Sequence, residues 1–440
     1  MRSTLGLLLA IALLGLLPAG AAAETFTVNK RGDHAPGACT ADDCTLREAV
    51  IAAAAPDASQ KIKLPSTKPY RLTRSSTLPA PDEVKGDLDL TSGNWTVQIV
   101  HPGPGRAKID ASEADDRALE VDGGVSLAKI VVRGGQVGGG ENGGGIYSAG
   151  PDVSSVFLRN SKVAGNEATT GGGGGIFAAE GFVFISKRSV VKNNTAAGGG
   201  GVFVTDEVRL TLDRSTVTGN LADDGDGGGL WIGTAISEGA SQITRSTIAG
   251  NETLASGGAI ATDADLLKIV NSTLTKNRAG GRGGGVYSAP DTLAELNGVT
   301  IARNRADSDS SGGPDSGGGI FADGGSDVVE IQNSLVVKNR TTGGVIQECD
   351  APAPAGVDSL GGNLITDASD CPFFDHPEDI LNAAPMIGKL ESNGGPTQTI
   401  ALDAGSPAIA EADGPDSDDL VIDQRGRPRD AQPDIGAYER

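Results

Sequence analysis

The sequence predicts an all-β chain wound as a parallel β-helix, and three observations carry the prediction. The first is a repeat. From Gly143 to Arg340 about seven units recur at a period of about 26 to 30 residues, with one longer step before the last. Each unit opens on two or three glycines and a large apolar residue: Ile146, Ile176, Val202, Leu230, Ile260, Val286 and Ile320. Each closes on an apolar-x-x-Asn pattern that ends at Asn166, Asn194, Asn220, Asn251, Asn277, Asn304 or Asn339. A fixed period in this range marks a solenoid. The second observation is alternation. Within a unit the apolar runs are short, β-branched and bounded by Gly, Asn, Asp and Ser, which is strand patterning and too short for a helical repeat. Three such strands per turn, stacked at about 4.8 Å, build a parallel β-helix. The third is composition: 66 glycines and 3% aromatics suit a stack of thin coils.

The elements follow in chain order. Residues 1–23 read as a secretory signal peptide, with Arg2, an apolar run from Leu5 to Leu17 and small residues Ala21 to Ala23 at the cut. No later stretch approaches the roughly 18 apolar residues of a membrane helix, so an exported, soluble chain is expected. Residues 24–117 read as an N-terminal cap followed by irregular first coils. Thr45-Leu46-Arg47-Glu48 has the form of a capping box. It opens a helix over about 45–55, whose Leu46, Ala49, Val50 and Ala53 share one face and would lid the open end of the stack. Residues 118–345 hold the regular repeats, and 346–440 the last coils and a closing segment. There SLGGNLI, PMIGKL and TIALDAG read as coils, and the stretch ending at Arg440 as a strand or plug on the C-terminal end.

The recurrent asparagines have a structural explanation. Asparagine tolerates left-handed backbone and, facing inward, can hydrogen-bond the next coil, so a ladder is expected. The four cysteines form two local pairs in the sequence, Cys39 with Cys44 and Cys349 with Cys371, which bracket the repeats. An even count in an exported chain reads as disulfides whose connectivity spacing does not determine. Tyr147, Phe177, Phe203, Trp231, Tyr287 and Phe321 each follow the apolar residue of a glycine opening. Alternation puts one of these two sets inside and the other outside without saying which. Core stacking of the aromatics is the expectation, because burial favours them.

A net charge of −21 argues against nucleic acid, anionic lipid and acidic polysaccharide as partners. A glycosidase needs two carboxylates roughly 5 to 9 Å apart. No row of acids aligns between units, and His34, His101 and His376 lie outside the array. No catalytic set is therefore assigned. Asp223, Asp224 and Asp226 are the acidic loop that would offer calcium its oxygens, against a plain solvated loop. No other cofactor is implied.

Three motifs carry a resemblance. CTLREAV resembles the CSLREA motif of exported bacterial proteins. NGGPTQTIALDAGSPAI with DQRGRPR and DIGAYE is similar to the choice-of-anchor Q ending. The repeats, with GGAI at Gly257 to Ile260, are similar to those of polymorphic outer-membrane proteins, although no strands for their translocator barrel follow. The resemblance implies a pectin-lyase-like right-handed β-helix on or outside a bacterial cell. The function expected is a non-catalytic, adhesin-like monomer that binds glycan or protein along the solenoid face. The alternatives are a polysaccharide lyase or hydrolase of the same fold, and a structural stalk.

Overall fold

The computed structural model describes residues 24–54, 59–75, 86–150, 154–234, 239–308, 316–324, 328–353, 355–371, 374–412 and 420–440. The expected signal peptide, 1–23, lies outside them. The chain winds as a parallel β-solenoid with one α-helix among the described residues. One coil shows the plan. Ile146–Ser148 forms the first face, Ser155–Arg159 the second, Lys162–Ala164 the third, and Glu167–Gly172 a short fourth strand before the next glycines. Strands Leu88–Val100 and Leu119–Ala128 run through both the first and second faces, so among the described residues those faces merge into one sheet of 20 strands. Among the same residues the third face is an 11-stranded sheet and the fourth a 6-stranded one. The sequence reading anticipated three strands per turn; the fourth arises because the residues after each asparagine pair across coils before the chain bulges out.

Period-2 alternation decides what enters the lumen. Ile146, Ile176, Val202, Leu230, Ile260, Val286 and Ile320 are fully buried inside, and so are Val156, Val183 and Leu210 on the second face and Val163, Val191 and Val217 on the third. The aromatic row is therefore on the outside, which corrects the expectation of core stacking. In these coils the aliphatic residue one place earlier already fills the lumen position, so the ring on the next residue must point outward.

The asparagines form a continuous chain of hydrogen bonds. Gly135 N donates to Asn166 Oδ1 at 3.1 Å. Asn166 Nδ2 then donates to Asn194 Oδ1 at 3.0 Å, Asn194 to Asn220 at 2.9 Å, and Asn220 to Asn251 at 2.9 Å. Asn251 continues to Asn277 at 3.0 Å, Asn277 to Asn304 at 2.9 Å, and Asn304 to Asn339 at 3.0 Å. The glycines are the ladder's complement. In the triplets the first glycine takes a positive φ, as Gly173 does at 68°. A Cβ on the third would press on the next coil's backbone and on an asparagine amide: at Gly201 it would lie 2.6 Å from Gly229 O and 2.9 Å from Asn220 Nδ2.

At the N-terminal end the helix spans Leu46–Ala53 and its capping box forms, with Thr45 Oγ1 accepting from Glu48 N and Glu48 accepting from Thr45 N. Its buried Arg47 makes a double hydrogen bond to Asp33 at 2.9 and 3.0 Å and donates to the carbonyls of Gly86 and Asp87. Cys39 pairs with Cys44, and Cys349 with Cys371. At the other end Cys349 takes the lumen position above Ile320, and Cys371 and Phe374 join the core.

The C-terminal segment departs from expectation. PMIGKL and TIALDAG are not coils: Ile387–Glu391 and Thr399–Leu402 form an antiparallel hairpin. Nor does the final segment plug the end. It lies along the outside of the third face, where Thr247 Oγ1 donates to Gln398 O, Gln424 bridges Thr247, Thr273 and Thr397, and Ala437 N donates to Thr300 Oγ1. The reason is on that face. Its outward positions are Lys162, Lys192 and Thr218 in early coils, but Thr247, Ala249, Thr300, Ala302, Leu335 and Val337 in later ones. Small and apolar outward residues give the segment a surface to cover, and a second core of Leu335, Val337, Leu364, Ile387, Ile400, Leu402 and Ile435 forms there.

Candidate functional site

Two outward surfaces carry side chains that the stack itself does not require. On the first face, register aligns Asp89, Glu120, Tyr147, Phe177, Phe203, Trp231, Ala261, Tyr287, Phe321 and Asp350 in one column. Tyr147, Phe177, Phe203 and Trp231 stack with centroids 5.6, 5.4 and 4.3 Å apart and planes within 19° of parallel. Stacked this way, the rings spend their faces on one another and present only edges outward.

The charged groups beside this column are engaged. Asp323 accepts from the Tyr287 hydroxyl at 2.5 Å and from Arg282 at 2.8 Å, and Arg282 lies over the Phe321 ring. Burial, followed by the Asp323 carboxylate, pushes the Tyr287 hydroxyl up. At the other end Arg117 lies over Tyr147 and pairs with Glu120 at 2.5 Å and with Glu141 at 3.4 Å. Asp87, buried beside it, has its carboxyl pushed up to about 8, first by burial and then by Asp116 and Asp89.

The acidic loop does not gather. Asp223 and Asp224 are exposed, whereas Asp226 Oδ1 accepts Ser256 N of the next coil at 2.7 Å, so Asp226 joins coils. Among the described residues, acidic and histidine side chains converge within 4.8 Å at His34, Asp43 and Glu48, and at Asp87, Asp89 and Glu120. Glu48 serves the capping box and Arg117 already supplies the cation of the second group. One carboxyl near the column stands apart. Asp263 is pushed up to about 6, first by burial and then by Asp206, and its Oδ1 is buried with no hydrogen-bond partner. Gly233 separates the two acids on the intervening coil.

The second surface was missed by the sequence reading. On the second face Phe157 pairs in register with Phe184, and Phe182 stands two residues earlier on the same side. Phe182 is 39% and Phe184 41% exposed. Arg209 on the next coil lies over the Phe182 ring at 5.8 Å. The signal was present in GFVFIS. Val183 and Ile185 take the lumen, so Phe182 and Phe184 must face out.

Residues 199–352 match the family described as right handed beta helix region, and the coils are those of a right-handed parallel β-helix. No curated protein matches. Among solved structures, the crystal structure of pectate lyase Pel9A is similar over 95% of this chain and 96% of that chain, with a TM-score of 0.47 and 14% identity. No helix among the described residues is long and apolar enough to cross a membrane.

Proposed function

We propose that this is an exported surface or extracellular protein of adhesin-like character, which binds glycan or protein along the solenoid without transforming it. The observation that carries the reading is the exposed pair Phe182 and Phe184, with half-buried Phe157 beside them, in a chain with only 3% aromatics. Exposed rings grouped on a rigid sheet offer flat faces to the C–H side of a sugar or to an apolar side chain, and such patches mark interaction sites. The CSLREA-like and choice-of-anchor Q-like motifs and the signal-peptide pattern support export from a bacterial cell and placement at its surface.

The test is retention of the protein on immobilised plant, algal and bacterial polysaccharides and on surface proteins. Replacing Phe182 and Phe184 together by Ala is expected to weaken retention at least about tenfold, equivalent to about 1.4 kcal/mol. Thermal stability should stay within about 0.5 kcal/mol of the parent, because both side chains are on the surface. Unchanged retention would remove this surface from consideration.

A lyase or hydrolase is the second reading, and Asp263 favours it. A carboxyl pushed up to about 6, chiefly by burial and then by Asp206 two coils away, is poised to trade protons. Release of reducing ends or unsaturated sugars that disappears in Asp263→Asn would replace the adhesin reading.

A further inference from the structure

The ladder asparagines of the last three regular coils are flanked differently from those before them. Earlier flanks are Gly165 and Glu167, Asn193 and Thr195, Gly219 and Leu221, Gly250 and Glu252. The later ones are Lys276 and Arg278, Arg303 and Arg305, Lys338 and Arg340. Because each asparagine is buried, its two neighbours face outward, and six cations form a grid on three adjacent coils. Arg278 pairs in parallel register with Arg305, and Arg305 with Arg340. Three arginines thus leave the backbone one per coil, at positions about 4.8 Å apart.

This arrangement opposes the fold's own interests in two ways. Like charges directly opposite one another in a sheet are destabilising. Lys276, Arg303 and Lys338 also hold φ of 58°, 61° and 61°, where earlier coils use glycine or asparagine; such backbone is unfavourable for a residue with a Cβ. The protein does little to neutralise the grid. Arg303 donates to the carbonyls of Ile387 and Gly388 in the C-terminal hairpin, and Arg340 to that of Gly344. Among the described residues, Lys276, Arg278, Arg305 and Lys338 have no side-chain ion pair or hydrogen bond, and the Nε of Arg305 is buried without an acceptor. Glu252 is in register with Arg278 yet makes no ion pair with it. Arg278 and Arg340 are exposed.

We infer that this grid binds an anionic polysaccharide laid along the solenoid axis, one charged sugar to each coil. The rise of a pyranose in an extended chain is close to the coil spacing, so a carboxylate or sulfate on successive sugars meets successive guanidinium groups. The fork geometry of arginine suits both anions. The net charge of −21 repels polyanions everywhere else, which confines binding to this grid. The site is on a different face from Phe182 and Phe184 and needs neither.

The full chain is passed over immobilised alginate and polygalacturonate as carboxylated polymers, dextran sulfate as the sulfated one, and unmodified dextran. Retention on a charged polymer, absent on dextran and lost as salt rises, is expected. Arg278→Gln and Arg340→Gln, each exposed, should weaken it about tenfold singly, whereas Phe182→Ala should not change it. A purely structural role would instead lower the unfolding temperature of these variants. Binding predicts the reverse pattern: no loss of stability without polymer, and a polymer-induced rise in the parent that the double variant lacks. Retention on one charged class only identifies its anion and supports the proposal. Equal retention of parent and double variant, no retention on either class, or tighter binding to a single-stranded DNA oligonucleotide than to any polysaccharide would overturn it.

Discussion

Glu348 shows how a single residue closes a repeat. Asn339, the last rung, has no further asparagine to receive its donors, and the Glu348 carboxylate accepts from Asn339 N at 3.0 Å, from Asn339 Nδ2 at 2.7 Å and from Lys338 N at 2.7 Å. Fully enclosed there, its carboxyl is pushed up to about 8 chiefly by burial, in the same direction as Asp87 at the opposite end. Carboxyls raised above their unfolded values favour folding by holding protons. That contribution is complete below the ordinary carboxyl range and is lost as pH rises through about 8. The unfolding temperature is therefore expected to fall between pH 5 and pH 8.5. In scanning calorimetry Asp87→Asn should flatten part of that slope. A midpoint that rises across the interval would contradict this assignment.

At the level of the element, each coil is set by its glycine triplet, and the three positions are not equivalent. The middle glycine faces backbone: a Cβ on Gly200 would strike the main chain of Leu221. A Cβ on the third, Gly201, would meet Gly229 O at 2.6 Å and Asn220 Nδ2 at 2.9 Å, less tightly than the 2.4 Å at Gly200, and one coil already carries Ala259 in that place. Gly200→Ala is expected to destabilise by about 1–3 kcal/mol through overpacking. Gly201→Ala, in the same coil, should lose clearly less. Urea denaturation of the two variants checks the order, and the reverse order would mean the ladder is the more rigid neighbour.

For the molecule as a whole, the C-terminal segment acts as a side wall. Its Ile387 and Gly388 carbonyls accept from Arg303, and it covers Leu335, Val337 and Leu364. Removing residues 385–440 would expose that apolar strip on a parallel sheet, the kind of surface that drives association. The truncated chain is expected to elute as oligomers in size-exclusion chromatography and to bind a hydrophobic dye. A monodisperse monomer would show that the wall is dispensable. Charge is also a whole-molecule property. The net value of −21 argued against acidic polysaccharide, but net charge is a sum, and coiling lines up Arg278, Arg305 and Arg340, which lie some 30 residues apart in sequence.

What the sequence determined by itself was everything periodic. Glycine, apolar residue and asparagine recur because each coil must satisfy the same sterics and the same hydrogen bonds as its neighbour, so the solenoid and the helix cap at Thr45 were legible residue by residue. Local pairing of the cysteines was legible as proximity, although the bonds themselves were not. Direction was not legible for the aromatic row, because alternation separates two faces without naming the inner one. The lumen's preference for Ile and Val over rings decided it. Nor was the place of the C-terminal hairpin, whose strands alternate as coil strands do; the small outward residues of the third face chose its position. The exposed phenylalanines and the arginine grid became visible only once register was known. A surface is assembled from residues one coil apart, and pattern along the chain does not state which of them become neighbours.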